Sequence, residues 1–248
     1  MSLMRTMLNN SRFYIVSSAL LISLALFSWL RLTIASDQLL IIRTEQCYGF
    51  IAVAYLYLTL IISPIRTVAG EQRLKRLLYA RRGFGLSAWY FALLHAGVAL
   101  WGQLDGFAGL HLLPSVFQYS LLGGATALGI LTLMALTPSD QLVPHIPYRW
   151  WKRLHRIVYI AGILIIVHVW TIGTHLTVRP VELISYGALM VLFGLESYRC
   201  TDALSRKYSL MGRSEIIISS LILWVIIGVF LLLLPVFVAN YHGHMEGM

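Results

Sequence analysis

Seven apolar runs separated by polar segments organise the chain, at about 13–30, 46–63, 84–104, 115–136, 155–175, 181–198 and 216–239. Each is about 18 residues or longer, enough at about 1.5 Å per residue to cross a hydrocarbon layer of about 30 Å. Backbone groups in lipid must pair within their own segment, so each run is expected as a helix. The pattern predicts an all-α, polytopic bundle of transmembrane helices. Pro64 is expected to end the second span, and Pro138, Pro144 and Pro147 break up the segment before the fifth. Pro114 and Pro180 stand at expected helix starts, where proline is tolerated. The first run has a longer apolar stretch than the usual 7–15 residues of a secretory signal, so it reads as a retained helix.

Composition agrees. Of the 248 residues, 58% are apolar and 12% charged, against roughly a quarter charged in soluble domains. A net charge of +9 would suit nucleic acid, but its distribution argues for topology instead. With the N-terminus in the cytoplasm, sixteen Lys and Arg fall on inner segments, in 1–12, 66–82, 149–156 and 199–213. Only Arg31, Arg43 and Arg179 fall outside, a strong positive-inside asymmetry. The expectation is a multi-pass cytoplasmic (inner) membrane protein with its C-terminus outside, some attraction to anionic lipid and no nucleic-acid partner. The two cysteines, Cys47 and Cys200, fall on opposite sides and cannot pair. No Cys-x-x-Cys-His occurs, so no covalent c-type haem is expected. No nucleotide-binding glycine motif occurs either, so a nicotinamide or flavin domain would have to come from another polypeptide.

Ionisable groups inside a membrane are costly and point to function. Deep within the runs only His95 and His168 qualify. His95 lies 13 residues beyond Arg82, and His168 lies 12 beyond Arg156 and 15 beyond Arg153, on spans of the same direction. Both are therefore roughly 18–22 Å from the cytoplasmic edge. Two neutral imidazoles at one depth suit the axial positions of a haem iron. The plainer alternatives are a hydrogen bond across the bundle or part of a proton path. His155 lies 13 residues before His168 on the same span, about 20 Å nearer the cytoplasm and about 140° round an ideal helix. A second haem there would need a bulge or tightened turn, and a partner other than Arg81, which occupies the corresponding level of span 3. His145 or another chain would have to serve; otherwise His155 is an interface residue. His175, seven residues after His168, is placed to meet a haem propionate. Arg81, Arg82 and Arg153 suit propionates, or a flavin or quinone at the cytoplasmic mouth, and equally suit topology anchors. Gly97, Gly102 and Gly162 make room either for a flat macrocycle or for close helix packing. His111 falls on the outer side with His175, and the tail YHGHMEGM combines His and Met, a mix that favours copper.

The segments SPIRTVAG, LKRLLYARRGFGLSAWYFALLHA and RWWKRLHRIVYIAGILIIVH together resemble the ferric reductase-like transmembrane domain family. The likeness covers about residues 12–198 and is nearest to the short bacterial haem subunits of the MsrQ (YedZ) type. The resemblance implies a six-helix core holding haem b on His95 and His168, with His155 matching the family's inner histidine. It also implies electrons passing from a cytoplasmic flavin reductase or the quinol pool to an outer-face acceptor, a protein or a metal ion. The span 3 inner histidine of two-haem relatives is absent here, and a seventh span follows the core. The resulting division is a haem-binding transmembrane domain over 1–198, a basic cytoplasmic loop over 199–214, and an added transmembrane helix with its His/Met tail over 215–248. The expected function is a membrane haem b electron-transfer subunit. The alternative from another class is a non-catalytic integral membrane assembly subunit that keeps the fold without the electron path. A metal transporter fits less well, for want of mid-membrane carboxylates.

Overall fold

The computed structural model describes residues 2–69, 75–137, 148–173, 181–208 and 212–246. They form helices and, among the described residues, no strand. In order these are α1 (Ser2–Thr33), α2 (Asp37–Ala69), α3 (Lys75–Val98), α4 (Ser115–Leu136), α5 (Tyr148–Arg156), α6 (Val158–Ile172), α7 (Val181–Tyr208) and α8 (Arg213–Glu246). A π-helical turn, Ala99–Gln103, prolongs α3, and a 3-10 turn, Gly106–Leu112, precedes α4.

Among the described residues, six segments are long and apolar enough to span a membrane: Ser11–Thr33, Asp37–Ala69, Ala80–Gln103, Ser115–Leu136, Arg153–Ile172 and Val181–Lys207. The polytopic bundle expected from the hydrophobic pattern is what forms. The seventh run lies on one helix, α8. Large apolar side chains such as Leu24, Leu133, Ile163 and Ile222 are exposed, as lipid-facing positions are.

Two expectations about helix ends need correction. Pro64 does not end the second span: α2 runs through it to Ala69, with the proline side chain fully buried. Helices in membranes tolerate an internal proline because neighbouring groups re-satisfy the backbone. The fifth span is not one straight helix. Ile157 N–H bonds back three residues to Leu154 O at 3.0 Å, and α6 restarts at Val158. That is a tightened turn between His155 and His168 of the kind a shared facing would require.

The helices divide into two compact units, Met1–Thr59 with Tyr79–Gly173, and Leu60–Leu78 with Thr174–Met248. In the first, α1, α2 and α3 meet around Ala19, Tyr48, Ala52 and Phe91, all buried. Phe91 stacks on Tyr55 at 5.8 Å and 14°, and packs against Tyr48 and Tyr90. Polar bonds tie the same helices. The Ser23 and Tyr90 hydroxyls lie 2.8 Å apart, and Tyr48 OH donates to the Ser23 carbonyl at 3.2 Å. The Trp89 indole N–H donates to Thr132 on α4 at 3.0 Å, and α4 packs along α6. With lipid as apolar as the core, such bonds and tight packing take over from the hydrophobic effect.

In the second unit α7 packs along α8. Trp224 N–H donates to the Met190 carbonyl at 2.7 Å, and the Thr201 and Ser220 hydroxyls share a hydrogen bond. Gly194 lets the Trp224 ring approach, since a Cβ there would stand 3.0 Å from it. Both cysteines are free thiols, Cys47 half-buried and Cys200 exposed.

Removing Phe91 should open a cavity where three helices meet. Phe91→Ala is expected to cost about 3–5 kcal/mol. Leu93→Ala, at an exposed position of the same helix, should cost much less. Thermal denaturation of both variants in one detergent checks the contrast.

Candidate functional site

The N-terminal part of α2, the C-terminal part of α3, the N-terminal half of α4 and the C-terminal half of α6 bring two imidazoles together. His95 projects from α3 and His168 from α6, and their ring centres lie 6.2 Å apart with planes crossed at 82°. The two histidines placed at one depth by the sequence are thus near neighbours. Neither is in the open: each ring packs on the backbone of a neighbouring helix at a glycine. A Cβ at Gly49 of α2 would come within 2.8 Å of His95 Nδ1, and one at Gly124 of α4 within 2.9 Å of His168 Nδ1. Only residues without a Cβ permit that approach.

The hydrogen bonds orient both rings the same way. His95 Nδ1 lies 3.1 Å from the Glu45 carbonyl and 3.0 Å from Glu45 Oε1. His168 Nδ1 lies 3.0 Å from the Ser120 carbonyl, and Ser120 Oγ donates to the His168 carbonyl at 3.4 Å. Carbonyl and carboxylate oxygens only accept, so both Nδ1 atoms carry the proton. In the neutral imidazole, a proton on Nδ1 leaves Nε2 as the lone-pair donor. A metal-bound histidine is held in this manner, with its second nitrogen donating to a carbonyl or carboxylate.

The ring-centre spacing of 6.2 Å is compatible with one iron held by both imidazoles. Two metal–nitrogen bonds of about 2 Å, and about 1 Å from each nitrogen to its ring centre, sum to about 6 Å. Crossed ring planes can share that axis. Among the described residues no group of three or more His, Cys, Asp or Glu side chains could hold a bare ion. A two-ligand site suits a haem, whose macrocycle supplies the other donors.

The remaining expected residues lie elsewhere. His155 is half-buried in the last turn of α5, about 20 Å along the span from His168. Arg81 is half-buried near the start of α3, where its Nε donates to the Thr59 carbonyl of α2 at 3.0 Å. Arg82 is half-buried beside it, and Arg153 is exposed with its guanidinium 5.2 Å from the Trp150 ring centre. His111 is exposed in the 3-10 turn. His145 and His175 lie outside the described residues, as do the side chains of His242 and His244. Gly97 lies against Trp101, Gly102 against Ile41, and nothing comes within 4 Å of a Cβ at Gly162.

Glu45 is the residue that sequence reasoning missed. It stands one position before the second apolar run and read as a span end. In the structure α2 begins at Asp37, two turns earlier, so Glu45 lies within the spanning helix. A glutamate followed four residues later by glycine, EQCYG, was the available signal.

A polytopic helical bundle with two neighbouring histidines, each held through Nδ1 by an adjacent helix, is the architecture of a membrane redox subunit. Residues 48–166 match the family described as ferric reductase like transmembrane component. Among curated proteins, the protein-methionine-sulfoxide reductase heme-binding subunit MsrQ of Xanthomonas campestris pv. campestris (strain 8004) is 32% identical over 126 residues, 51% of this chain and 56% of that protein. The chain thus spans little more than half of that relative's length. The MsrQ subunit of Herminiimonas arsenicoxydans is 30% identical over 166 residues, 65% of this chain and 72% of the relative. That of Brucella ovis is 30% identical over 181 residues, 70% and 75%. No solved structure matches. The chain belongs to the ferric reductase-like transmembrane family, among its MsrQ-type members.

The glycine contacts generate a direct test. Gly124→Leu should turn His168 out of line with His95 and lower the haem bound per chain about tenfold or more, in the range that disturbed metal-site support produces. Gly129→Leu on the same helix, where nothing lies within 4 Å of a Cβ, should leave it unchanged. Haem assay of the two purified proteins makes the comparison.

Proposed function

We propose that this protein is a haem b electron-transfer subunit of the inner membrane, with His95 and His168 as the two axial ligands of one haem. The observation that carries the reading is the pair itself: rings 6.2 Å apart, with both Nδ1 atoms satisfied by neighbouring helices. The names of the MsrQ relatives, which call them heme-binding subunits, support the same cofactor. Haem supplies one-electron chemistry when bound. The chain's own residues hold it, keep water away and set its ligand field.

In this reading the N-terminus is cytoplasmic and the basic start of α3, with Arg81 and Arg82, faces the donor. That donor is a flavin reductase or quinol, since the sequence carries no nucleotide motif of its own. Arg153 and His175 are assigned to the anionic edges of the cofactors. His155 serves the inner entrance, and a second haem is not required. The His95/His168 pair sits toward the outer face, where the acceptor docks. The relatives' names make them subunits of a protein-methionine-sulfoxide reductase, and a partner oxidoreductase of that kind is the proposed acceptor. Reducing a sulfoxide consumes two electrons and two protons and releases water, so two single-electron transfers serve one turnover. Residues 1–198 form the haem-binding part, 199–214 an inner basic loop and 215–248 an added helix ending outside.

His95→Ala and His168→Ala should each abolish the low-spin b-type spectrum, while His155→Ala retains it with about one haem per chain. Both ligand variants keeping a wild-type spectrum would refute the assignment. For orientation, alkaline phosphatase fused after Met248 should be active and the same enzyme fused after Lys207 inactive; the reverse pattern would overturn the topology.

A further inference from the structure

The two histidines are supported unequally. His168 Nδ1 meets a neutral backbone carbonyl, whereas His95 Nδ1 meets the Glu45 carboxylate at 3.0 Å as well as a carbonyl. Glu45 is itself half-buried and held from its other side. Gln103 Nε2 donates to Glu45 Oε2 at 3.4 Å. Gln103 can do so because of the π turn. At about 100° per residue, the eight residues from His95 to Gln103 would leave Gln103 about 80° away from the His95 face of an ideal α-helix. A π turn packs more residues into each turn, so each rotates by less, about 80°. Over Ala99–Gln103, closed by Leu104 N–H to Ala99 O at 3.1 Å, this returns Gln103 to the side of His95. π turns of this kind often mark functional sites.

We propose that Glu45 is a positioning residue that makes His95 the more strongly donating of the two axial histidines and thereby holds the midpoint potential of the bound haem low, with Gln103 and the π turn locking the carboxylate in place. A carboxylate accepting from the far nitrogen of a ligating imidazole fixes the ring and raises its basicity. A more electron-rich ligand and a nearby negative charge both favour the oxidised, more positive iron. A low potential is what an electron needs to leave for an outer acceptor. This inference rests on the haem reading above and adds to it the residue that tunes the pair.

The test is a redox titration of full-length purified protein with its haem, wild type against Glu45→Gln. Glutamine keeps an accepting oxygen for Nδ1 and removes the charge. At the wild-type midpoint, the variant's ratio of reduced to oxidised haem should be about tenfold higher, a rise of about 59 mV for one electron, with the low-spin spectrum retained. Full haem occupancy with an unchanged or lowered midpoint overturns the proposal. If Glu45→Gln loses its haem, Glu45→Asp decides. Haem regained at a midpoint below that of a Gln103→Leu control supports a charge-dependent role, and haem absent from both Glu45 variants marks Glu45 as a folding residue and overturns it. Wild-type protein that binds no haem fails differently: it removes the haem reading itself.

Discussion

The constraint on which the structure depends is the satisfaction of two imidazole N–H groups within the bundle. An unpaired polar group in hydrocarbon costs several kcal/mol. Here α2 and α4 supply the acceptors, and they reach the rings because Gly49 and Gly124 let backbone and imidazole touch. The same contacts that remove the penalty engage Nδ1 on each ring and bring the two rings within 6.2 Å of one another. Satisfying the buried polar groups and preparing a two-ligand site are therefore one arrangement, and the aromatic core around Phe91 holds α2 and α3 in the register it needs.

Much of this was legible in the chain. The apolar runs gave the helices, since a membrane span has a length requirement that sequence states directly. Counting residues from the last cation of each span placed His95 and His168 at one depth, because helical rise is nearly constant. Facing was another matter. In a helix apolar all round, no polar stripe says which side meets a neighbour. That is why Gly97, Gly102 and Gly162 drew attention while Gly49 and Gly124, the glycines against the rings, did not. Glu45 was misread for a related reason: the hydropathy boundary at residue 46 is not the helix boundary, which lies at Asp37.

Local departures from ideal helix were the least legible. Proline 64 reads as a stop, yet α2 continues past it. The tightened turn at Ile157 and the π turn after Val98 are not announced by a proline or by a break in the apolar pattern. Both sit beside the chemistry: the first separates His155 from His168, and the second carries Gln103 to Glu45. Irregular turns thus mark both histidine-bearing segments, and the regular helices serve to bring them into place.

Electron paramagnetic resonance of the oxidised, purified wild-type protein tests the central claim most directly. Two imidazoles on one iron with planes crossed near 82° should give a low-spin ferric signal with the strong anisotropy of near-perpendicular axial rings. A high-spin signal from bound haem would mean that the two histidines do not share the iron, and would contradict the account.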